Sequence, residues 1–257
     1  GAQLSYGYVQ PLADPGIWAQ LPKLLLSPAS ALKIRPQWDL SQWRWVWQFL
    51  RACNTQQSQK STLQLLALAA QSRLAFDALR AAENMDCDFA ESGKLVLYRS
   101  AASLAAAREQ MRLQQQLGGP TQRAVTAQEA CAIEPALAHH QAAFSGAIYT
   151  DSECVADCKK VCLALANRLI SRGVAFRLGY ECTAWVTSGR QISAARLDNR
   201  DEVVADAFVL CTGHQAPALA ASVGVHLPVY PLKGYSITVD TDGVGLAPRV
   251  SVTDAAR

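Results

Sequence analysis

The side chains best able to do chemistry in this 257-residue chain are its eight cysteines, four histidines and seven tyrosines, and their spacing narrows what that chemistry is. Cys154, Cys158 and Cys162 recur every fourth residue, which stacks thiols on one helical face instead of forming a C-x-x-C chelate. A cysteine-only metal centre there would need a fourth ligand and sharp turns, and the sequence offers neither. Cys53, Cys87, Cys131, Cys182 and Cys211 stand singly, so the cysteines read as reduced, small apolar residues and point to a reducing compartment. His139, His140, His214 and His226 lack metal-ligand spacing and read as loop or surface residues, so no metal site is predicted. No Ser/His/Asp grouping or carboxylate pair stands out, and no catalytic side chain is predicted. Gly243-Val-Gly245 comes nearest to a glycine-rich phosphate turn, but it leads into Pro248 and no helix. Cys211-Thr212-Gly213 is a small-residue turn at the carboxyl end of a predicted strand. Ligands of open α/β sheets collect at such ends, and glycine lets a ligand approach the backbone; a plain turn is the competing reading.

Several elements must position these residues. Asp39 is a predicted N-cap for a helix to about Cys53, whose inward stripe is Leu40, Trp43, Val46, Trp47 and Leu50. A longer helix is expected from about Ser61 to Ala82, a strand over 94–99, and a surface helix over 102–117 closed by Gly118-Gly119-Pro120. Thr126-x-x-Glu129 is a capping-box signature for a short helix stopping at Pro135. Beyond Gly146 the pattern predicts a strand over 147–149 and a helix over 155–172 with Cys158, Val161, Cys162, Leu165 and Leu169 inward. A strand over 174–178 follows, then a three-stranded meander over 181–186, 191–197 and 203–210 with tight turns, and further strands over 233–239 and 249–252.

Half of the chain is hydrophobic, 18% is charged, and the formal net charge is +3. This balance excludes a disordered tail, a collagen-like repeat and a strongly basic nucleic-acid binder. A chain of this size buries roughly 70% of its unfolded surface and needs no disulfide or metal staple. No run approaches the ~20 apolar residues of a membrane span, and Gly1-Ala2-Gln3 has no leader character. Residues 1–60 nevertheless carry six Lys/Arg (Lys23, Lys33, Arg35, Arg44, Arg51, Lys60) against Asp14 and Asp39. With Trp45 and Phe49 pointing away from the helix stripe, this basic, aromatic segment suits an anionic membrane surface; packing of both rings under a loop is the alternative.

Three stretches resemble one family. Gly1-Ala-Gln-Leu-Ser-Tyr-Gly-Tyr8 resembles the flavin-facing loop of FAD-dependent D-amino-acid dehydrogenases of the glycine/D-amino-acid oxidase superfamily. Leu32-Lys-Ile-Arg-Pro36 with Gln42-Trp-Arg-Trp-Val-Trp-Gln-Phe-Leu50 resembles their next helical segment. Val209-Leu-Cys-Thr-Gly213 with Leu227-Pro-Val-Tyr-Pro-Leu-Lys-Gly-Tyr-Ser236 is similar to their second FAD-contacting turn and the substrate-domain strand after it.

The resemblance implies an α/β fold. An α+β substrate domain with a mixed sheet is interleaved with an incomplete Rossmann-like FAD-binding domain holding the three-stranded β-meander. Residues 1–145 are then mainly substrate domain with the flavin-facing loop, 146–215 partial FAD-binding domain, and 216–257 a return to the substrate-domain sheet. The family's G-x-G-x-x-G unit is expected before Gly1 and its carboxylate-binding arginine after Arg257. The chain alone is therefore expected to bind FAD poorly and to be inactive.

The implied cofactor contacts are Ala2, Gln3, Leu4, Cys182, Thr212 and Gly213; Cys182 replaces a usual aliphatic residue whose backbone holds adenine. Tyr6, Tyr8, Lys233 and Tyr235 are the implied substrate-facing residues, since a phenol combines an apolar ring with a donor; packing rings and a solvated lysine are the bland alternatives. The implied activity is oxidative deamination of D-amino acids to 2-oxo acids and ammonia by hydride transfer to the flavin. Electrons pass to a quinone, and the implied location is cytoplasmic, peripheral on the inner membrane. An oxygen-using glycine- or sarcosine-type amine oxidase and a non-catalytic substrate-binding fragment remain the competing readings.

Overall fold

The computed structural model describes residues 2–19, 21, 36, 38–241, 243, 245 and 247–255; residues 32–35 of the second motif, with Gly1, Lys23 and Val244, lie outside them. In chain order the elements are β1 (Ala2–Leu4), α1 (Leu40–Ala52), α2 (Thr55–Glu83), β2 (Lys94–Tyr98), α3 (Ala101–Gln116), β3 (Arg123–Thr126) and α4 (Ala127–Ile133). A 3-10 stretch (Pro135–Ala143) leads to β4 (Gly146–Thr150), β5 (Cys154–Ala156) and α5 (Cys158–Ser171). Then come β6 (Cys182–Ser188), β7 (Gln191–Leu197), β8 (Glu202–Val204), a 3-10 turn (Gly213–Gln215), α6 (Ala216–Ala221) and β9 (Ser251–Asp254). The chain divides into two units: Gly1–Arg35, Leu50–Leu169 and Val239–Arg257 form the first, and Pro36–Phe49 with Ile170–Thr238 the second.

The first unit is organised on a mixed sheet of order β3-β4-β2-β9, in which β2 pairs antiparallel with β4 and parallel with β9. Alternation along β2 sends Leu95 and Leu97 to one face, where they meet Val125, Ala130, Leu137, Phe144 and Ala147. Ile148 of β4 points to the other face and packs with Leu104 and Ala107 of α3. The helices are stopped by local chemistry. Asn54 caps α2, accepting from Gln57 N–H at 2.9 Å, and Asn84 ends it in the left-handed region at φ 45°. The predicted capping box forms at α4: Thr126 N–H donates to Glu129 Oε2 at 2.7 Å and Glu129 N–H donates to Thr126 Oγ1 at 3.2 Å.

The second unit is built on the meander β6-β7-β8, with β7 at its predicted bounds. Gly189, at φ 59° in the first central position of the two-residue β6–β7 turn, supplies the backbone conformation that such a hairpin needs. Trp185 of β6 donates its indole N–H to the Leu219 carbonyl at 3.1 Å and meets Phe208 edge-on, which ties the meander to α6.

Several expectations are corrected. Residues 174–178 and 233–239 are not strands, and the strand expected over 203–210 is only Glu202–Val204. Residues 233–239 alternate and 174–178 and 205–210 are largely apolar, but a strand exists only with a hydrogen-bonded neighbour, and no strand pairs with these stretches among the described residues. Leu178 is 81% and Tyr235 88% exposed. Cys211-Thr212-Gly213 therefore follows coil, not a strand. The helix expected from residue 155 begins at Cys158, because Cys154–Ala156 pairs with β1, and no residue of α5 is buried. Cys158 and Cys162 are exposed, whereas Cys53, Cys87 and Cys154 are buried; none of the eight cysteines, all among the described residues, is in a disulfide. On α1 the faces are reversed: Leu40, Trp43 and Trp47 are exposed, while Trp45 stacks on Phe49 at 5.2 Å and meets Tyr230 at 5.5 Å.

The buried carboxylate of Glu134 closes the first unit. At 1% exposure it accepts backbone N–H bonds from Ala136 (3.0 Å), Arg249 (2.6 Å) and Val250 (2.8 Å), tying the turn after α4 to the chain entering β9. Burial alone would raise its pKa, but the three N–H donors outweigh burial, Arg249 adds to them, and the carboxyl is held below its ordinary range. Its stabilising effect is thus full above the unfolded carboxylate pKa and disappears as pH falls through the lower folded value. Glu134→Gln should cost about 2–3 kcal/mol in urea unfolding at pH 7, because an amide leaves N–H donors unmatched. The variant should also show a flatter loss of stability with acid than wild type.

Candidate functional site

The N-terminal segment lies in the first unit, and its backbone geometry follows from one neighbour. β1 pairs with β5 through Ala2↔Ala156, Gln3↔Val155 and Leu4↔Cys154. Val155 directs both backbone groups elsewhere: Ala90 N–H donates to its carbonyl at 3.0 Å, and its own N–H donates to the Ala90 carbonyl at 2.9 Å. Bonded and non-bonded positions alternate along an antiparallel pair. Ala2 and Leu4 therefore carry the ladder to β5, and Gln3 turns its N–H and C=O to the opposite edge of β1. Among the described residues no strand pairs with that edge.

The side chains of this segment are held by charge. Lys94, on β2 and only 2% exposed, donates from Nζ to Gln3 Oε1 at 2.7 Å and stands 4.1 Å from the centre of the Tyr8 ring. Gln3 Nε2 in turn donates to Ser251 Oγ on β9, so both ends of the amide are engaged. Burial pushes the Lys94 ammonium down in pKa, and the negative charge of Glu153 opposes this. Glu153 is itself 2% exposed; its Oε1 accepts the Gly7 N–H at 2.5 Å, and its Oε2 has no hydrogen-bond partner among the described residues. Tyr6 lies under the Arg73 guanidinium at 5.4 Å, while Arg73 donates to the Ser152 carbonyl at 2.6 Å and pairs with Glu91 and Asp77. Burial raises the Tyr6 phenol, with Cys154 and Asp77 adding and Arg73 opposing. Tyr98, the last residue of β2, has its phenol pushed up to about 12 by burial, with Tyr8 adding. These phenols stay neutral donors near pH 7.

The other sequence-predicted residues belong to the second unit. Cys182 opens β6 and is half-buried. Thr212 and Gly213 are exposed at the turn before α6; Gly213 has φ 56°, and a Cβ built on it meets nothing within 4 Å. Lys233 lies 5.5 Å from the centre of the exposed Tyr235 ring. The structure thus gathers Ala2, Gln3, Leu4, Tyr6 and Tyr8 on one segment. Sequence reasoning passed over Lys94, Glu153 and Arg73, which hold that segment. A lysine opening the otherwise apolar strand Leu95-Val-Leu97 was the available signal.

A mixed sheet with an open-edged N-terminal strand, joined in sequence to a β-meander followed by a glycine turn, matches a known class. The chain belongs to the DAO family of FAD dependent oxidoreductases, whose family model matches residues 26–256. It is 42% identical over 263 residues to "D-amino acid dehydrogenase 2" of Ralstonia nicotianae, covering 100% of this chain and 61% of that protein. It is 40% identical over 260 residues to "D-amino acid dehydrogenase 2" of Pseudomonas aeruginosa, covering 100% of this chain and 60% of that one. The chain thus spans about three fifths of the length of these relatives. Among solved structures, glycine oxidase from Geobacillus kaustophilus has a similar fold, with a TM-score of 0.55 and 24% identity over 62% of this chain and 43% of that one.

Gly7 packs where no side chain fits: a Cβ would lie 2.4 Å from Pro120 Cγ and 3.1 Å from Glu153 Oε1. The ring of Pro120 cannot swing aside as a flexible side chain would. Gly7→Ala should therefore lower stability by about 1–3 kcal/mol in urea unfolding. It should also speed hydrogen exchange of the residue 7 amide, which loses its place on Glu153.

Proposed function

We propose that the full-length protein containing this chain oxidises D-amino acids to 2-oxo acids and ammonia, consuming water and passing two electrons to a quinone. The observation that carries this reading is the 40–42% identity, along the whole chain, to relatives named D-amino acid dehydrogenase 2. The residues present suit the cofactor. The Gln3 N–H and C=O, directed to the open edge of β1, are a donor–acceptor pair of the kind that the alternating polar edge of an isoalloxazine ring accepts, and Ala2 and Leu4 flank it. Within the second unit, the open space beside Gly213, with Thr212 and Cys182, suits close backbone approach by a phosphate or ring. When bound, FAD supplies the two-electron acceptor for the substrate Cα–H.

The chain's own part is to orient and desolvate the substrate. The Tyr6 and Tyr8 rings, fixed by Arg73 and Lys94, offer apolar surface and hydroxyl groups toward an amino acid. Lys233 and Tyr235, in the second unit, remain proposed substrate contacts from the family resemblance alone. No side-chain base is assigned. Anaerobic reduction of the bound flavin by a panel of D-amino acids, with reoxidation by a quinone analogue, is the expected result for the full-length protein. Reduction by L-amino acids or glycine instead, or turnover that depends on oxygen, would overturn the reading.

Delivery of electrons to a quinone implies peripheral contact with a membrane, and no helix among the described residues is long and apolar enough to cross one. The aromatic face available for such contact is Leu40, Trp43 and Trp47 with Arg44, all exposed within about 100° of α1. Trp43→Ala with Trp47→Ala should lower co-sedimentation of the full-length protein with anionic vesicles, whereas Trp45→Ala should leave it unchanged apart from any loss of folding. Equal binding by the double variant and wild type would remove the membrane contact from the proposal.

A further inference from the structure

Lys94 is an anomaly in energetic terms. Burying an ammonium is unfavourable even after relaxation, and the neighbouring positions of β2 are filled by Leu95, Val96 and Leu97 without that cost. An aliphatic residue at 94 would pack against the Tyr8 ring equally well. What an ammonium alone provides is direction: a donor aimed at one amide oxygen and a charge centred on one aromatic face. Both targets belong to the segment whose backbone edge is open. Gln3 receives the donor at 2.7 Å, and Tyr8 receives the charge at 4.1 Å. Glu153 supplies the opposite charge and grips the same segment between them, at Gly7. Ser251 holds the far end of the Gln3 amide from β9. Residues 3, 7 and 8 are therefore each tied to a buried charged group of the sheet region, although the segment contributes only three residues of strand.

We propose that Lys94 is a positioning residue that acts through Gln3 and Tyr8, with Glu153 acting through Gly7, to hold the open backbone edge of β1 in register for the flavin ring. The pair does not touch substrate or cofactor; it sets where the Gln3 N–H and C=O lie. The holding of the segment stands on the contacts alone, and its consequence for the flavin rests on the reading given under Proposed function.

The test compares Lys94→Met, Gln3→Met and the double variant with wild type in the full-length protein. It uses hydrogen exchange, FAD dissociation and the visible flavin spectrum. Each single variant should keep wild-type exchange in β2, β3 and β4. Each should lose about tenfold protection over residues 3–8, raise the FAD dissociation constant about tenfold, and shift the flavin bands. The double variant should fall short of the sum of the two single ones, because both remove the Lys94–Gln3 bond, while each single variant also loses one contact of its own, to Tyr8 or to Ser251. Gln3→Met alters an exposed side chain and keeps the test decisive if Lys94→Met does not fold. Protection over residues 3–8 unchanged, or lost equally across β2–β4, overturns the proposal. So does a loosened segment with an unchanged FAD dissociation constant and spectrum. A wild-type protein that takes up no FAD instead overturns the functional reading, and the exchange measurement then decides the holding of the segment by itself.

Discussion

The carboxylate of Glu134 is the constraint on which most of the first unit depends. A buried anion is tolerated only where donors surround it, and here three backbone N–H groups do so, two of them from the residues that lead into β9. With those residues fixed, β9 enters beside β2 in parallel register, Lys94 opposite Ser251. Parallel neighbours far apart in sequence have no short turn to set their register, so a side chain must supply it. Ser251 then meets the Gln3 amide, and Gln3 meets Lys94. One carboxylate thus sets the register of a strand, and that register sets the side-chain hold on the N-terminal segment.

Much of this was legible in the sequence where the determinants are local. Thr126 and Glu129 cap α4 because both partners lie within one turn, and β7 has its predicted bounds because flanking turn residues stop it on both sides. Pairing partners are not local, and that is where the reading failed. Residues 174–178 have the apolar content of a strand and 233–239 its alternation, yet neither has a strand beside it among the described residues. Amphipathicity also failed to give direction on α1. Trp43 and Trp47 form a cleaner stripe than Trp45 and Phe49, yet Tyr230, nearly two hundred positions away, lies against Trp45 and reverses the faces.

The candidate site was legible in its outline and not in its support. Gln3, Leu4, Tyr6 and Tyr8 are recognisable as a segment from residues 1–8 alone. Arg73, Lys94 and Glu153 come from three separate elements or loops; Arg73 and Glu153 look ordinary in their own windows, and Lys94 stands out only as a lysine opening an apolar strand. Only burial distinguishes them: Lys94 and Glu153 are almost fully enclosed, where charged side chains are rarely found without a specific partner. Cation–aromatic contacts at Tyr6 and Tyr8 add about 0.5–2 kcal/mol each, depending on desolvation, enough to restrict rotamers on a short segment.

The partners that enclose Lys94 are made far apart in time. Gln3 and Ser251 are 248 positions apart, so a growing chain emerges with β2 complete long before β9 exists to cover its edge. An uncovered strand of Leu95, Val96 and Leu97 is a template for pairing between nascent chains. A lysine at the start of that strand is the residue type that discourages such pairing while the edge is bare. The same ammonium that orients Gln3 in the finished fold therefore acts earlier as a gatekeeper, keeping the edge of β2 available for the one strand that arrives late.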